Sequence, residues 1–356
     1  MSELQIGLLA IGIVVVAGVY GYGFWQQRLY RRKFGATFND QREDALYSSV
    51  SAAKGAADVL IEEEVSALEH GESQRVKPDD EICSLLDATS DYIVPVKLQS
   101  PLSSHALAPL WGRRFDFGKS VNACGLNATS GRWERLIPES LPSYSEFKIG
   151  LQLADRTGQV SEARLTDFHE VLRDIGEQLQ AEVVFPSMED ALKQARLLDE
   201  FCAEVDQMIG LNILPGGDRL LFGSEIARVA EQHGMTLQTD GAFHLLDAHG
   251  LTLFTLNNMD INIPFQHHTL TQMRVQGLTL LLDVPRVERP SHRFDEMAVL
   301  ARELALDLRA GLVDDHRVSL GDAAIAQIRG QVVAVENRML AGKIVPGSAQ
   351  ALRLFS

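Results

Sequence analysis

The sequence predicts an α+β fold. It is an antiparallel-leaning six-stranded sheet with helices on one face, present in two copies, behind one N-terminal transmembrane helix. Three observations carry this expectation. Leu4 to Phe24 is apolar and free of charge. Leu165, Phe168, Leu172, Ile175 and Leu179 step by 3, 4, 3 and 4, and Phe294, Met297, Ala301, Leu304 and Leu308 repeat the pattern 129 residues later. Between Met208 and Val284, short apolar segments are separated by turn pairs such as Asp240-Gly241 and His249-Gly250, the pattern of strands joined by tight turns.

Residues 1–34 come first. At about 1.5 Å rise per residue, a helix over Leu4–Phe24 is long enough for the roughly 30 Å hydrocarbon core. Tyr20, Tyr22, Phe24 and Trp25 occupy the place where a signal peptide would need small residues for cleavage. They suit the headgroup level instead, and Arg28, Arg31, Arg32 and Lys33 behind them suit the cytoplasmic side and its lipids. The expected topology is single-pass, with the N-terminus outside and the body inside. Gly7, Ala17 and Gly21 would permit self-association of the anchor.

Residues 35–91 read as an acidic linker, with Glu62-Glu63-Glu64 and Asp79-Asp80-Glu81 and few aromatics. The chain has a net charge of −15. That argues against nucleic acid as a partner of the body. Cys83, Cys124 and Cys202 are scattered without a CxxC pair, so unpaired thiols in a reducing compartment are expected.

Residues 92–205 and 206–340 read as two copies of one unit. The segments Phe147–Leu153 and Leu278–Val284 match at an offset of 131, and Met188, Ala195, Leu198, Cys202 and Val205 match Val318, Ile325, Ile328, Val332 and Val335 at 130. Upstream, Val94, Val96 and Leu98 align with Ile209, Leu211 and Ile213 at 115. Pro101 and Pro109 compromise the first helix of the first copy. The second copy runs strand 208–214, helix 222–233, strands 235–238, 242–247, 251–257 and 278–284, helix 294–309, strand 311–313 and helix 319–337. A tail, 341–356, follows.

Helices can cover only one face of such a sheet. Leu278, Leu280, Leu282 and Val284 should face them, which turns Thr279, Leu281 and Asp283 outward. Thr255, Asn257 and Met259 go outward on the neighbouring strand, with Leu211 or Ile213 beside them. Apolar side chains on adjacent strands with small polar ones between suit a shallow groove for a peptide with apolar anchors.

The run Met208–Leu214, the blocks Gly250–Met259 and Gly277–Pro285, and Gly311–Asp315 before a final helix resemble, in order and spacing, the C-terminal domain of the ZipA family. The N-terminal anchor and basic cluster resemble that family too. The resemblance implies a sheet with helices on one face that binds the C-terminal tail of the tubulin-like protein FtsZ. It also implies that the chain ties the division ring to the bacterial inner membrane, N-terminus periplasmic and body cytoplasmic. Carried over by position, the groove is Ile213, Asn257, Met259, Thr279 and Leu281, with Leu211, Thr255 and Asp283 beside them. The strand near Asp240 would border it, and here it lacks a large apolar side chain. The short acidic linker and the preceding copy depart from the family's pattern.

No catalytic constellation, metal-ligand spacing or cofactor loop stands out, so no enzyme, metal or cofactor is expected. His267-His268 has no further ligands nearby, Asp314-Asp315-His316 reads as a turn before a helix, and Pro215-Gly216-Gly217-Asp218 lacks the following Lys-Ser/Thr of a phosphate loop. The competing reading is a membrane-anchored scaffold for a different cytoplasmic peptide or protein.

Overall fold

A computed structural model describes residues 85–314 and 316–356. The anchor residues Leu4, Phe24, Trp25, Arg28, Arg31, Arg32 and Lys33 lie outside the described residues. Among the described residues, no helix is long and apolar enough to cross a membrane.

The first half builds β1 (Asp91–Leu102), a 3₁₀ turn (Ser104–Leu107), α1 (Ala108–Arg113), β2 (Val121–Asn127), β3 (Trp133–Leu136) and β4 (Tyr144–Gln152). It continues with β5 (Ala154–Asp155), β6 (Gly158–Gln159), α2 (Glu162–Leu179), β7 (Glu182–Val183) and α3 (Met188–Val205). The second half builds β8 (Met208–Pro215), β9 (Leu221–Phe222), α4 (Gly223–Gln232), β10 (Thr236–Leu237), β11 (Phe243–Leu246) and β12 (Thr252–Asn258). After these come β13 (Arg274–Val275), β14 (Leu278–Asp283), α5 (Pro290–Asp307), β15 (Ala310–Val313) and α6 (Asp322–Ala341), and α7 (Ala349–Leu354) ends the chain.

The helices begin where side chains satisfy their free amides. Ser161 and Ser187 accept from Arg164 N and Asp190 N at the starts of α2 and α3. Pro290 opens α5 at a position whose missing N–H costs nothing, which is why this helix starts four residues before its first apolar periodic residue. The predicted stripes are the buried ones: Leu165, Phe168, Leu172 and Ile175 on α2, and Phe294, Met297, Ala301 and Leu304 on α5.

The fold is mixed α+β with antiparallel sheets. The second half holds a six-stranded sheet in the order β10-β11-β12-β14-β8-β15, and the first a five-stranded one in the order β3-β2-β4-β1-β7. The run β4-β1-β7 repeats the order of β14-β8-β15, but the next two strands are exchanged: β4 pairs with β2, the earlier of the two in the chain, and β14 with β12, the later. The first sheet lacks a counterpart of β10, and the ribbons β5-β6 and β9-β13 were not expected. Val94 pairs with Ile149 and Leu211 with Leu280. With Ile149 set against Leu280 at the expected offset of 131, the register sets β1 against β8 at 117 residues rather than the expected 115, a two-residue step that keeps every side chain on its face.

Cys124, on β2, is buried and disulfide-bonded, where unpaired thiols were expected. Cysteine usage therefore lends the cytoplasmic orientation no support. Cys202 is a free thiol, and burial followed by the nearby carboxylates of Asp199, Asp206 and Asp155 pushes it up to about 12, too high for a reactive thiolate.

The two halves meet along α3 and α6. Arg338 donates to both carboxylate oxygens of Glu204 at 2.8 Å, and its guanidinium lies 5.0 Å from the Phe201 ring centroid. Arg156, in the β5-β6 turn, donates to Asp206 and to Asp283.

Candidate functional site

Antiparallel pairing fixes which side chains share a face, because directly opposite residues point the same way. Leu280 stands between Leu256 and Leu211, and Leu278 opposite Ile213. All of these are buried beneath the helices, with α5 packed on β8, β12, β14 and β15. The alternate set forms the outer face. Thr255, Leu281 and Gly210 make one row across β12, β14 and β8, and Asn257, Thr279 and Asn212 make the next. Met259 continues the face where its amide donates to Gly277 O at 3.1 Å.

Six of the eight residues expected at the groove are therefore on one face: Thr255, Asn257, Met259, Thr279, Leu281 and Asp283, each partly exposed. Leu211 and Ile213 are not. Both are 0% exposed on the helix side. The reason is parity: Leu211 and Ile213 oppose Leu280 and Leu278, so β8 turns Met208, Gly210, Asn212 and Leu214 outward instead. The signal was present in the alternation of Ile209, Leu211 and Ile213 with Gly210 and Asn212. Asp240 and Gly241 form the turn between β10 and β11, as the turn pair in the sequence predicts.

Polar groups on the face satisfy one another. Asn257 Nδ2 donates to Thr255 Oγ1 at 2.8 Å, and Thr279 Oγ1 donates to Asn212 Oδ1 at 2.7 Å. At the β11 edge, His244 is held between Thr252 Oγ1 and Asp240 Oδ2, both at 2.9 Å. An incoming chain thus meets few unsatisfied groups among apolar Leu281, Met259 and Leu214, and methionine adapts its shape to such contacts. Gly210 leaves a notch, since a Cβ there would sit 3.4 Å from Leu281 Cδ2 and 3.5 Å from Thr279 Cγ2.

Asp283 ends the face but is already engaged. Arg156 Nη2 donates to its Oδ1 at 2.8 Å. Burial pushes the Asp283 carboxyl above the ordinary carboxylate range, with Arg156 pulling the other way. Elsewhere, Asp314 Oδ1 accepts from His316 N and Val318 N, each at 2.8 Å, which is turn chemistry. Among the described residues, no group of three His, Cys, Asp or Glu side chains is placed to hold a metal ion.

Comparison with known proteins gives a consistent answer for the same segment. Residues 207–331 match the family described as ZipA, C-terminal FtsZ-binding domain. The whole chain is similar to the cell division protein ZipA of Vibrio parahaemolyticus serotype O3:K6 (strain RIMD 2210633). Identity is 21% over 350 residues, covering 94% of this chain and 98% of that protein. The cell division protein ZipA of Vibrio campbellii (strain ATCC BAA-1116) is 25% identical over 130 residues, 36% of this chain and 40% of that one.

Proposed function

We propose, for a chain that belongs to the ZipA family of cell-division proteins, that the outer face of its second sheet takes the C-terminal tail of FtsZ. In this reading Leu281, Met259 and Leu214 are the apolar anchors, and Thr255, Asn257, Thr279 and Asn212 form the polar floor between them. The observation that carries it lies inside the matched segment: helices cover one face of the six-stranded sheet, and the other keeps these apolar side chains partly exposed.

The remaining parts follow as one adaptor. Leu4–Phe24 holds the chain in the inner membrane as a single-pass helix, and Arg28–Lys33 meets the cytoplasmic headgroups. The acidic linker 35–91 gives the body reach, and an anchored groove for FtsZ ties the division ring to the membrane. The body acts by binding and carries out no catalysis. The first half, 92–205, is a degenerate second copy of the same unit, supported by the shared order of β4-β1-β7 and β14-β8-β15 and by helices at matching places.

The deciding experiment is titration of the full chain with a labelled FtsZ tail peptide against a scrambled peptide of the same composition. Tighter binding of the native peptide is expected. Equal affinities would remove the adaptor reading and favour a scaffold for another partner.

A further inference from the structure

The first sheet has an outer face of its own, and the chain covers part of it. Asp91 pairs with Gln152, Ile93 with Gly150 and Pro95 with Lys148, while the intervening Tyr92, Val94, Ile149 and Leu151 are core. By strand order, Gly150 and Gln152 stand where Leu281 and Asp283 stand in the second sheet. The Asp91 end of this face carries the C-terminal segment. Arg353 Nη1 and Nη2 donate to Asp91 Oδ1 and Oδ2 at 2.8 and 2.9 Å, and the Asp91 side chain is 0% exposed. Gln152 Nε2 donates to the Arg353 carbonyl at 3.1 Å, and Gln350 Nε2 donates to Thr89 Oγ1 at 2.8 Å. Ala351, Leu354 and Phe355 are fully buried. Phe355 O accepts from Arg286 Nη1 at 2.8 Å.

We propose that the outer face of the first module is a peptide receptor whose ligand is the chain's own C-terminal tail, residues 348–356. The contacts are those of peptide recognition. A buried carboxylate reads one arginine in bidentate fashion, a side-chain amide reads the main chain, and two adjacent apolar side chains, Leu354 and Phe355, are buried beside β5 and the 284–286 turn. The helix that presents them, α7, has six residues, too few to hold together in water without docking. A buried Asp91 without its cation would be strongly destabilising, which makes the face selective for a tail bearing arginine. This end of the first face is therefore filled from within, and the chain takes one FtsZ tail rather than two. The tail assignment stands on the contacts of Arg353 and Gln350 with the first module, while Arg286 of the second half holds the Phe355 carbonyl.

The test separates the tail from its covalent tether after folding. A protease site is inserted after Val345, which is 54% exposed, and the folded full chain is cut. A labelled synthetic peptide of residues 346–356 is then exchanged in. Saturable uptake is expected, at least about tenfold weaker for the peptide carrying Arg353→Ala or for the chain carrying Asp91→Asn, the loss typical of a charge-assisted pair. No uptake, or equal uptake of a scrambled peptide, would overturn the proposal. Should the insertion impair folding, amide hydrogen exchange on the uncut chain decides. Arg353→Ala should speed exchange of residues 349–355 at least about tenfold and leave β12 and β14 unchanged, and protected tail amides in the variant would sink it. The FtsZ tail peptide, titrated on the same cut chain, reports separately on the second module, so failure there leaves the tail result readable.

Discussion

Arg156 Nη2 lies 2.7 Å from Asp206 Oδ1 and 2.8 Å from Asp283 Oδ1, so one guanidinium from the first half closes the end of the outer face of the second sheet. All three side chains are mostly buried, at 22%, 19% and 23% exposure. Removing the cation leaves two carboxylates facing each other in a partly dry setting. Arg156→Ala should lower stability by about 1–3 kcal/mol in urea unfolding, and Asp283→Asn in that background should recover part of the loss. An additive double variant would show that the two residues are not coupled.

The same pair sets a pH dependence. The folded Asp283 carboxyl lies above its ordinary value of 3.8, so the folded chain holds this proton more tightly than the unfolded chain. Its contribution to stability is fully present below 3.8 and is lost as pH rises through the folded value. Urea midpoints measured across the acid range should show this decline in the wild type and not in Asp283→Asn. A parallel decline in both would assign it to another group.

Leu281 and Leu211 separate binding from folding. Leu281 is partly exposed on the outer face, and Leu211 is fully buried on the inner one. Leu281→Ala or Met259→Ala should weaken FtsZ-peptide binding by about 1–2 kcal/mol with the fold intact. Leu211→Ala should instead cost about 2–5 kcal/mol of stability and leave the peptide affinity of the folded fraction unchanged. Calorimetric titration beside thermal unfolding reads both quantities, and a binding defect confined to Leu211→Ala would reverse the face assignment.

Gly210 offers a test by addition rather than removal. A Cβ there meets Leu281 and Thr279 at ordinary contact distance, and β-branched residues suit strands. Gly210→Val should therefore fold at least as well as wild type while filling the notch, and peptide affinity should fall about tenfold or more. Undiminished affinity would move the anchor site away from this part of the face.

Where one periodicity dominated, the sequence was readable. The stripes of α2 and α5 and the alternation of β14 placed their core residues correctly, because a helix or strand with one wet face must segregate its apolar residues. The β8 strand is ambiguous in sequence for a local reason: Leu211 and Ile213 are the apolar side chains a groove would use as anchors, and Gly210 and Asn212 are not. Only the pairing with Leu280 and Leu278 shows those two turned inward. The Arg156 bridge and the docking of Arg353 on Asp91 join residues 127 and 262 positions apart. Such contacts leave no periodic trace in a single sequence, so the tail had no legible role. The outer-face residues were legible as a pattern of parity, and the ligand proposed for them rests on resemblance.

The contact between α3 and α6 ranks two kinds of interaction. Glu204 and Arg338 form a bidentate pair that is about half exposed, and such pairs add little in water. Hydrogen bonding from Arg338 holds the Glu204 carboxyl below its ordinary 4.5. What the pair does contribute is present above that value and fades as pH falls through the lowered one. Phe201 lies under the same guanidinium and against the backbone at Gly342, where a Cβ would come within 2.6 Å of its ring. Its apolar area should matter more than the charge pair. Phe201→Ala is expected to destabilise by about 1–2 kcal/mol, and Glu204→Gln to shift the urea midpoint only slightly at neutral pH and not at all in acid. A larger effect from Glu204→Gln than from Phe201→Ala would mean that charge, rather than packing, holds the two halves together.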